Sequence, residues 1–330
     1  KKISNSIIDI FSKKNTSNIN INIFKQKEIF TENHEINFRK SIIEYNKDDY
    51  DILDDNTKMA LFKAAQGVIE SPDKISKNSL KEKPSKEINV GDGVFVLNEN
   101  EVSKMNLNKN EKKILKKYLN SNDVDKYNIK FNNQYLIYSN QDEIKNIKNK
   151  QYINLYNHLK KFKKYITSSN GPYGLHRPRN ENFFLQPKII LKNMFLEPAF
   201  TYDENKYYVG MSFITIIQNS SISLKYLLAL LNSKFGFYWF INTAKERGVA
   251  FDVTLEKLRT FPIPKTNEKN KDDIDKIIEI VENLLSNKKN DQTLLDKIDK
   301  LIFKICALDN EQINVINSKI DSFMKLHNRV

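Results

Sequence analysis

A chain of 330 residues with 39% apolar and 11% aromatic residues has enough buried-type side chain for two or three compact units, which excludes wholesale disorder. No apolar run is long enough to span a membrane, since Tyr226–Phe240 is interrupted by Asn232, Ser233 and Lys234, and the single cysteine, Cys306, excludes an internal disulfide. The net charge of +13 and the absence of a signal-peptide pattern at Lys1-Lys2-Ile3-Ser4 point to a cytoplasmic protein that acts on a polyanion, and the missing initiator Met to a piece of a longer chain.

In chain order, the alternation of Ile19, Ile21 and Ile23 with polar residues predicts a strand within Ser4 to Phe24. Five aspartates between Asn46 and Asn56 mark an acidic connector, and Lys58 to Ala65 reads as a short amphipathic helix. A long polar loop follows from Glu70 to Asn89. Gly91-Asp92-Gly93 is a turn, leading into a strand over Val94 to Leu97. Asn108 to Asn120 reads as a lysine-rich helix with Ile114, Leu115, Tyr118 and Leu119 inward. Tyr135 to Tyr138 predicts a strand, and Tyr152 to Tyr165 a basic helix with Leu155, Leu159 and Phe162 inward.

Beyond the turn-rich segment Gly171 to Asn180, strands are expected at Lys188 to Leu191, Tyr207 to Val209 and Phe213 to Ile217. Leu224 to Leu231 is a core helix, and the aromatic run Phe235 to Phe240 reads as core. Pro262 and Pro264 close this region. The tail carries three apolar stripes at helical spacing, the first from Ile274 to Leu285, the second from Leu294 to Leu308 and the third from Ile313 to Phe323, which predict antiparallel packed helices.

Complete catalytic signatures are missing. There is no Pro-Pro to build the Asp/Asn-Pro-Pro-aromatic segment of an adenine methyltransferase, and the glycines form no nucleotide loop. Three Glu-x-Lys triplets begin at Glu111, Glu143 and Glu204, but in a lysine-rich chain such triplets arise by chance. Cys306 and the scattered His34, His158, His176 and His327 show no zinc-ligand spacing.

The charge is uneven. Between Lys104 and Lys164 there are 15 lysines and 5 acidic residues, an excess of +10. Arginine is scarce: six occur, and Arg177, Arg179, Arg247 and Arg259 lie in the middle of the chain. Scarce arginine in a lysine-rich protein is expected where a planar, bidentate donor is needed.

Several segments in order resemble one family. They are Gln66-Gly67-Val68, Gly93 to Leu97, Tyr135 to Tyr138, Tyr173-Gly174-Leu175-His176-Arg177-Pro178-Arg179, Lys188-Ile189-Ile190, Tyr226 to Lys234 and Leu258 to Pro264. Together they are similar to the TaqI-like C-terminal specificity domain, the target-recognition region of many N6-adenine DNA methyltransferases and of fused restriction-methylation enzymes. The resemblance implies an α/β target-recognition domain, a mixed sheet with packed helices, over residues 58–265. An α-helical spacer or bundle would follow over 266–330, and residues 1–57 would be the end of a methyltransferase domain or a connector. It also implies sequence-specific recognition of double-stranded DNA beside a methyltransferase domain of the same chain or a partner subunit. No cofactor is expected in this chain; S-adenosylmethionine would bind in the catalytic domain, and Mg²⁺ only if the parent enzyme also cleaves.

The expected DNA-contacting residues are Tyr173, Gly174, His176, Arg177, Arg179, Asn180, Lys188, Lys245, Arg247 and Gln66. Alternatives stand beside several of them. The two arginines either contact guanine or phosphate or pair with acids such as Glu181. His176 either meets DNA or braces its loop, and Lys188 either reaches a phosphate or lies along the strand end. The rival function is a protein-interaction module that docks a partner through its C-terminal helices, with a basic face that only solubilises.

Overall fold

The computed structural model describes residues 49–247, 250–288 and 291–327. The strand expected within Ser4 to Phe24 lies outside them. The architecture is mixed α/β with a helical C-terminal region, as the sequence implies. At its centre is an antiparallel sheet ordered Thr201–Asp203, Lys188–Lys192, Phe213–Gln218, Phe62–Gln66. Side chains alternate between its faces. Ile189, Leu191, Ile214 and Ile216 enter one apolar core, and Ile190 and Phe213 enter a second. Both faces of the sheet are therefore buried.

The second core belongs to an outer lobe. Its sheet is ordered Tyr208–Val209, Leu115–Leu119, Gln134–Ile137, Val96–Asn98, with the first pair parallel and the others antiparallel. The helices Gln141–Lys148 and Ile153–Lys161 complete the lobe, the latter burying Leu155 and Leu159.

Two expected helices are strands. Residues 58–65 do not coil: Phe62–Gln66 is a strand at the edge of the central sheet, with Phe62 and Ala64 turned into the first core. Of Asn108 to Asn120 only Lys109–Lys113 is helical, and Leu115–Leu119 is paired on both sides in the outer sheet. Two-sided pairing and burial of Tyr118 and Leu119 outweigh local helix preference. The carboxylate of Glu111 caps the Ile153–Lys161 helix, accepting from the backbone N–H of Asn154 (2.7 Å) and Leu155 (3.3 Å) and from Asn154 Nδ2 (2.9 Å).

The lobes meet where two chain segments cross. Gly67 N–H donates to Phe213 O (3.0 Å) and Val68 N–H to Val209 O (2.9 Å). A Cβ on Gly67 would lie 2.1 Å from Gly210 O, and one on Gly210 would lie 2.2 Å from Tyr118 Oη. At Gly67 the clash is with backbone, and at Gly210 it is with the buried Tyr118 hydroxyl that donates to Glu70.

The aromatic run folds as the helix Lys234–Thr243, packed beside Leu224–Asn232 in the first core. The C-terminal helices Lys271–Asn287, Gln292–Ile305 and Asn310–His327 share that core. Phe323 stacks on Phe251 with ring centroids 4.6 Å apart and meets Phe237 edge-on at 5.9 Å. At the start of the described residues, Tyr50–Ile52 pairs with Pro262–Pro264, and buried Asp54 holds Arg259 (3.3 Å). No helix of the described residues is long and apolar enough to cross a membrane.

Candidate nucleic-acid interface

The segment from Thr167 to Asn180 is held at many points. Thr167 N–H donates to Ser71 O (3.1 Å), Leu175 N–H to Ser139 Oγ (3.1 Å) and Asn170 Nδ2 to Leu175 O (2.7 Å). The Tyr173 ring stacks on Tyr156, centroids 5.3 Å apart, and Lys150 and Lys160 lie over the Tyr156 ring at 5.6 and 5.9 Å. The lysine-rich helix is thereby joined to the loop. His176 Nδ1 accepts from Ser169 N–H (3.2 Å), so the imidazole braces the loop and, when neutral, carries its proton on Nε2.

Arg177 and Ile69 exchange two backbone hydrogen bonds of 3.0 and 2.9 Å, which fix Arg177 beside the seam between the lobes. Its side chain is exposed and, among the described residues, makes no hydrogen bond or ion pair. Arg179 differs. Its backbone is left-handed at φ +64°, its Nε donates to Gly67 O (3.1 Å), and its Nη2 donates to Gln66 Oε1 (3.4 Å). Burial and the nearby Arg177 charge both lower its pKa, so the pair is an electropositive spot. Glu181 does not neutralise either arginine. Its carboxylate accepts from Tyr208 Oη and pairs with Lys116 (3.3 Å).

Two of the expected contact residues, Lys188 and Gly174, are buried, and a third is exposed with one side-chain atom engaged. Lys188 is fully buried, ion-paired with Asp203, and donates to Phe184 O (2.8 Å). Its register opposite Asp203 in the central sheet places it inside the protein, so it reaches no phosphate. Gly174 is buried under Ile144, whose Cδ1 would lie 2.3 Å from an added Cβ; the glycine serves packing rather than approach to a ligand. Asn180 is exposed, but its Oδ1 accepts from Asn182 N–H (3.1 Å) at the start of the Asn182–Leu185 turn.

The remaining residues fall on one ridge. From Arg179 it runs through Gln66, whose Nε2 donates to Met211 O (2.9 Å). The same carbonyl accepts from Asn193 Nδ2 (2.8 Å), and Asn193 N–H donates to Ser212 O (2.9 Å). Met194 pairs with Asp252 on Ala250–Asp252, which in turn pairs with the exposed strand Lys245–Arg247. Arg247 lies 3.5 Å from Asp252. The structure thus links Arg177, Arg179, Gln66, Lys245 and Arg247, which lie in three separate stretches of sequence, through one chain of contacts and strand pairings. Sequence reasoning missed Asn193, Met194 and Met211, which complete those contacts, because nothing in their local pattern separates them from ordinary loop residues.

Residues 116–263 match the family model described as the TaqI-like C-terminal specificity domain. Over those residues the chain is similar to that specificity domain. All of the ridge except Gln66 lies within that match. The chain is also 23% identical over 245 residues to the type II methyltransferase M.MjaIV of Methanocaldococcus jannaschii, covering 71% of this chain and 81% of that protein. Among solved structures, the type IIL restriction-modification enzyme MmeI in complex with DNA shares the fold, with a TM-score of 0.57 at 12% identity. The alignment covers 82% of this chain and 37% of MmeI. The type IIG restriction endonuclease BpuSI aligns with a TM-score of 0.39 at 11% identity, over 78% of this chain and 31% of that one. The chain therefore spans about a third of the length of either solved relative.

Proposed function

We propose that this specificity domain reads a sequence in double-stranded DNA on behalf of a restriction-modification adenine methyltransferase. The carrying observation is the ridge: Arg177 exposed and unpaired, Arg179 bound to Gln66, and the Lys245–Arg247 strand at the far end. The guanidinium of Arg177 offers paired donors that match the O6 and N7 acceptors of guanine in the major groove, while Gln66, with both amide atoms engaged, holds Arg179 in place. The lysines around Tyr156 and Tyr173 supply phosphate contacts that orient the duplex without reading it. Reading and chemistry are divided, with methyl transfer assigned to a separate catalytic domain, where the target base is flipped out at a cost of a few kcal/mol that phosphate contacts offset. S-adenosylmethionine belongs to that domain. The Gly91–Gly93 turn does not suit it, since Gly93 N–H already donates to the Glu101 carboxylate (2.7 Å).

Direct binding tests this reading. The chain is expected to bind random-sequence duplexes at low salt, to enrich a subset of them over single strands, and to lose affinity linearly in log salt. Absence of measurable duplex binding at low salt, or affinity indifferent to salt, rules it out. The rival function, docking of a partner through the C-terminal helices, has less apolar surface to use, because those helices spend their stripes on the first core. Charge reversal at Arg177 and Arg179 separates the two: activity of the assembled enzyme collapses under the DNA-reading function and is unchanged under the rival.

A further inference from the structure

We propose that Met211 touches the 5-methyl group of a thymine in the recognised duplex and so helps to specify its sequence; this rests on the DNA-reading function above. Met211 occupies the turn closed by Phe213 N–H donating to Gly210 O (3.1 Å). On one side Gly210 lies against the Tyr118 hydroxyl, and on the other Phe213 is buried in the second core. The Met211 carbonyl is held from two directions, by Gln66 Nε2 and Asn193 Nδ2. The backbone therefore has no room to withdraw, and the fold keeps the side chain 52% exposed. Met194, 46% exposed, follows the same Asn193, so two methionines flank one pair of amides.

A single exposed apolar residue is ordinary on a protein surface. This pair lies within a chain of polar contacts that joins Arg179 through Gln66 to Met211, and Met194 through Asp252 to the Lys245–Arg247 strand. An apolar spot beside the uncompensated Arg177–Arg179 pair suits a ligand that is anionic outside and presents a small apolar group within. In the major groove of duplex DNA that group is the thymine methyl. An unbranched thioether side chain adapts to such a contact without precise shape matching.

The test uses the intact chain and the duplex it enriches from a random-sequence pool, with each thymine replaced in turn by deoxyuridine, which removes only the methyl group. Wild type is expected to lose about fourfold in affinity at one or two positions, the size of one buried carbon. Met211→Ala is expected to lose about as much on the unmodified duplex and to become indifferent to deoxyuridine at that position. Met211→Leu keeps the sensitivity, and thermal unfolding of both variants matches wild type. Selective duplex binding with deoxyuridine tolerated everywhere overturns the inference and leaves the DNA-reading function standing. So does an unchanged sensitivity in Met211→Ala. If no duplex is enriched over single strands, the DNA-reading function fails and this inference falls with it.

Discussion

At Arg177 the guanidinium faces solvent, whereas two residues later the guanidinium of Arg179 holds the carbonyl of Gly67 and the amide of Gln66. Replacing each with alanine separates reading from positioning. Arg177→Ala should cost about 1–3 kcal/mol of affinity for the enriched duplex, the value of one base-edge contact, with no change in melting temperature. Arg179→Ala should lower affinity as well, and should also destabilise the fold by about 1–2 kcal/mol through two lost hydrogen bonds and a left-handed alanine. Fluorescence anisotropy and thermal unfolding measure the two quantities, and equal behaviour of the variants would remove the distinction. Lys188 gives the converse case. Lys188→Ala strands Asp203 in the interior and should destabilise by about 3–5 kcal/mol, while the fraction that remains folded binds DNA as wild type does.

Among the elements, the seam between the lobes is the least tolerant. In Gly67→Ala the new methyl meets the backbone carbonyls of Gly210 and Val209 at 2.1 and 2.4 Å, which cannot swing away, and a loss of about 3 kcal/mol is expected. In Gly174→Ala the methyl meets the end of the Ile144 side chain, which can rotate, and about 1 kcal/mol is expected. Urea titration ranks the two. The seam also carries a titratable group. Burial pushes the Glu70 carboxyl up to about 7 despite the hydrogen bond from Tyr118 Oη (2.8 Å). A pKa raised on folding stabilises the native state fully only below the unfolded value, and that contribution is lost as pH rises through the folded one. Stability should therefore fall by up to about 3 kcal/mol between pH 4.5 and 8, and Glu70→Gln should flatten most of that fall. Melting temperatures of both proteins at pH 5 and 8 decide it; parallel curves would acquit Glu70.

What the sequence revealed follows from how local each signal is. The runs Lys188 to Leu191 and Phe213 to Ile217 are apolar on both faces, so their strands were legible, as were the three C-terminal stripes. Lys109 to Leu119 misled because Ile114, Leu115, Tyr118 and Leu119 fit helical spacing as well as they fit a strand. The deciding partners, Tyr208–Val209 and Gln134–Ile137, lie far along the chain or beyond a turn. The two arginines were legible through their rarity. The burial of Lys188 was not, because it depends on register with Asp203 across a strand pair.

At the scale of the whole molecule, charge and cooperativity are the measurable properties. The excess of lysine between Lys104 and Lys164 lies in the outer lobe, so neutralising Lys150 and Lys160 together should reduce the salt dependence of duplex affinity by about two counterions with the ranking of duplexes unchanged. A changed ranking would mean that these lysines read bases. The central sheet has a further consequence. It has no spare face: one side is roofed by helices that include Asn310–His327, the other by the outer lobe. Heat should therefore find no weak boundary at which one half melts before the other. A single calorimetric transition is expected for the intact chain, and a chain stopped at Lys265, with Phe237 and Phe251 stripped of their cover, should clump instead of folding. Engineers wishing to transplant the reading edge would have to move both lobes and the helical roof as one block.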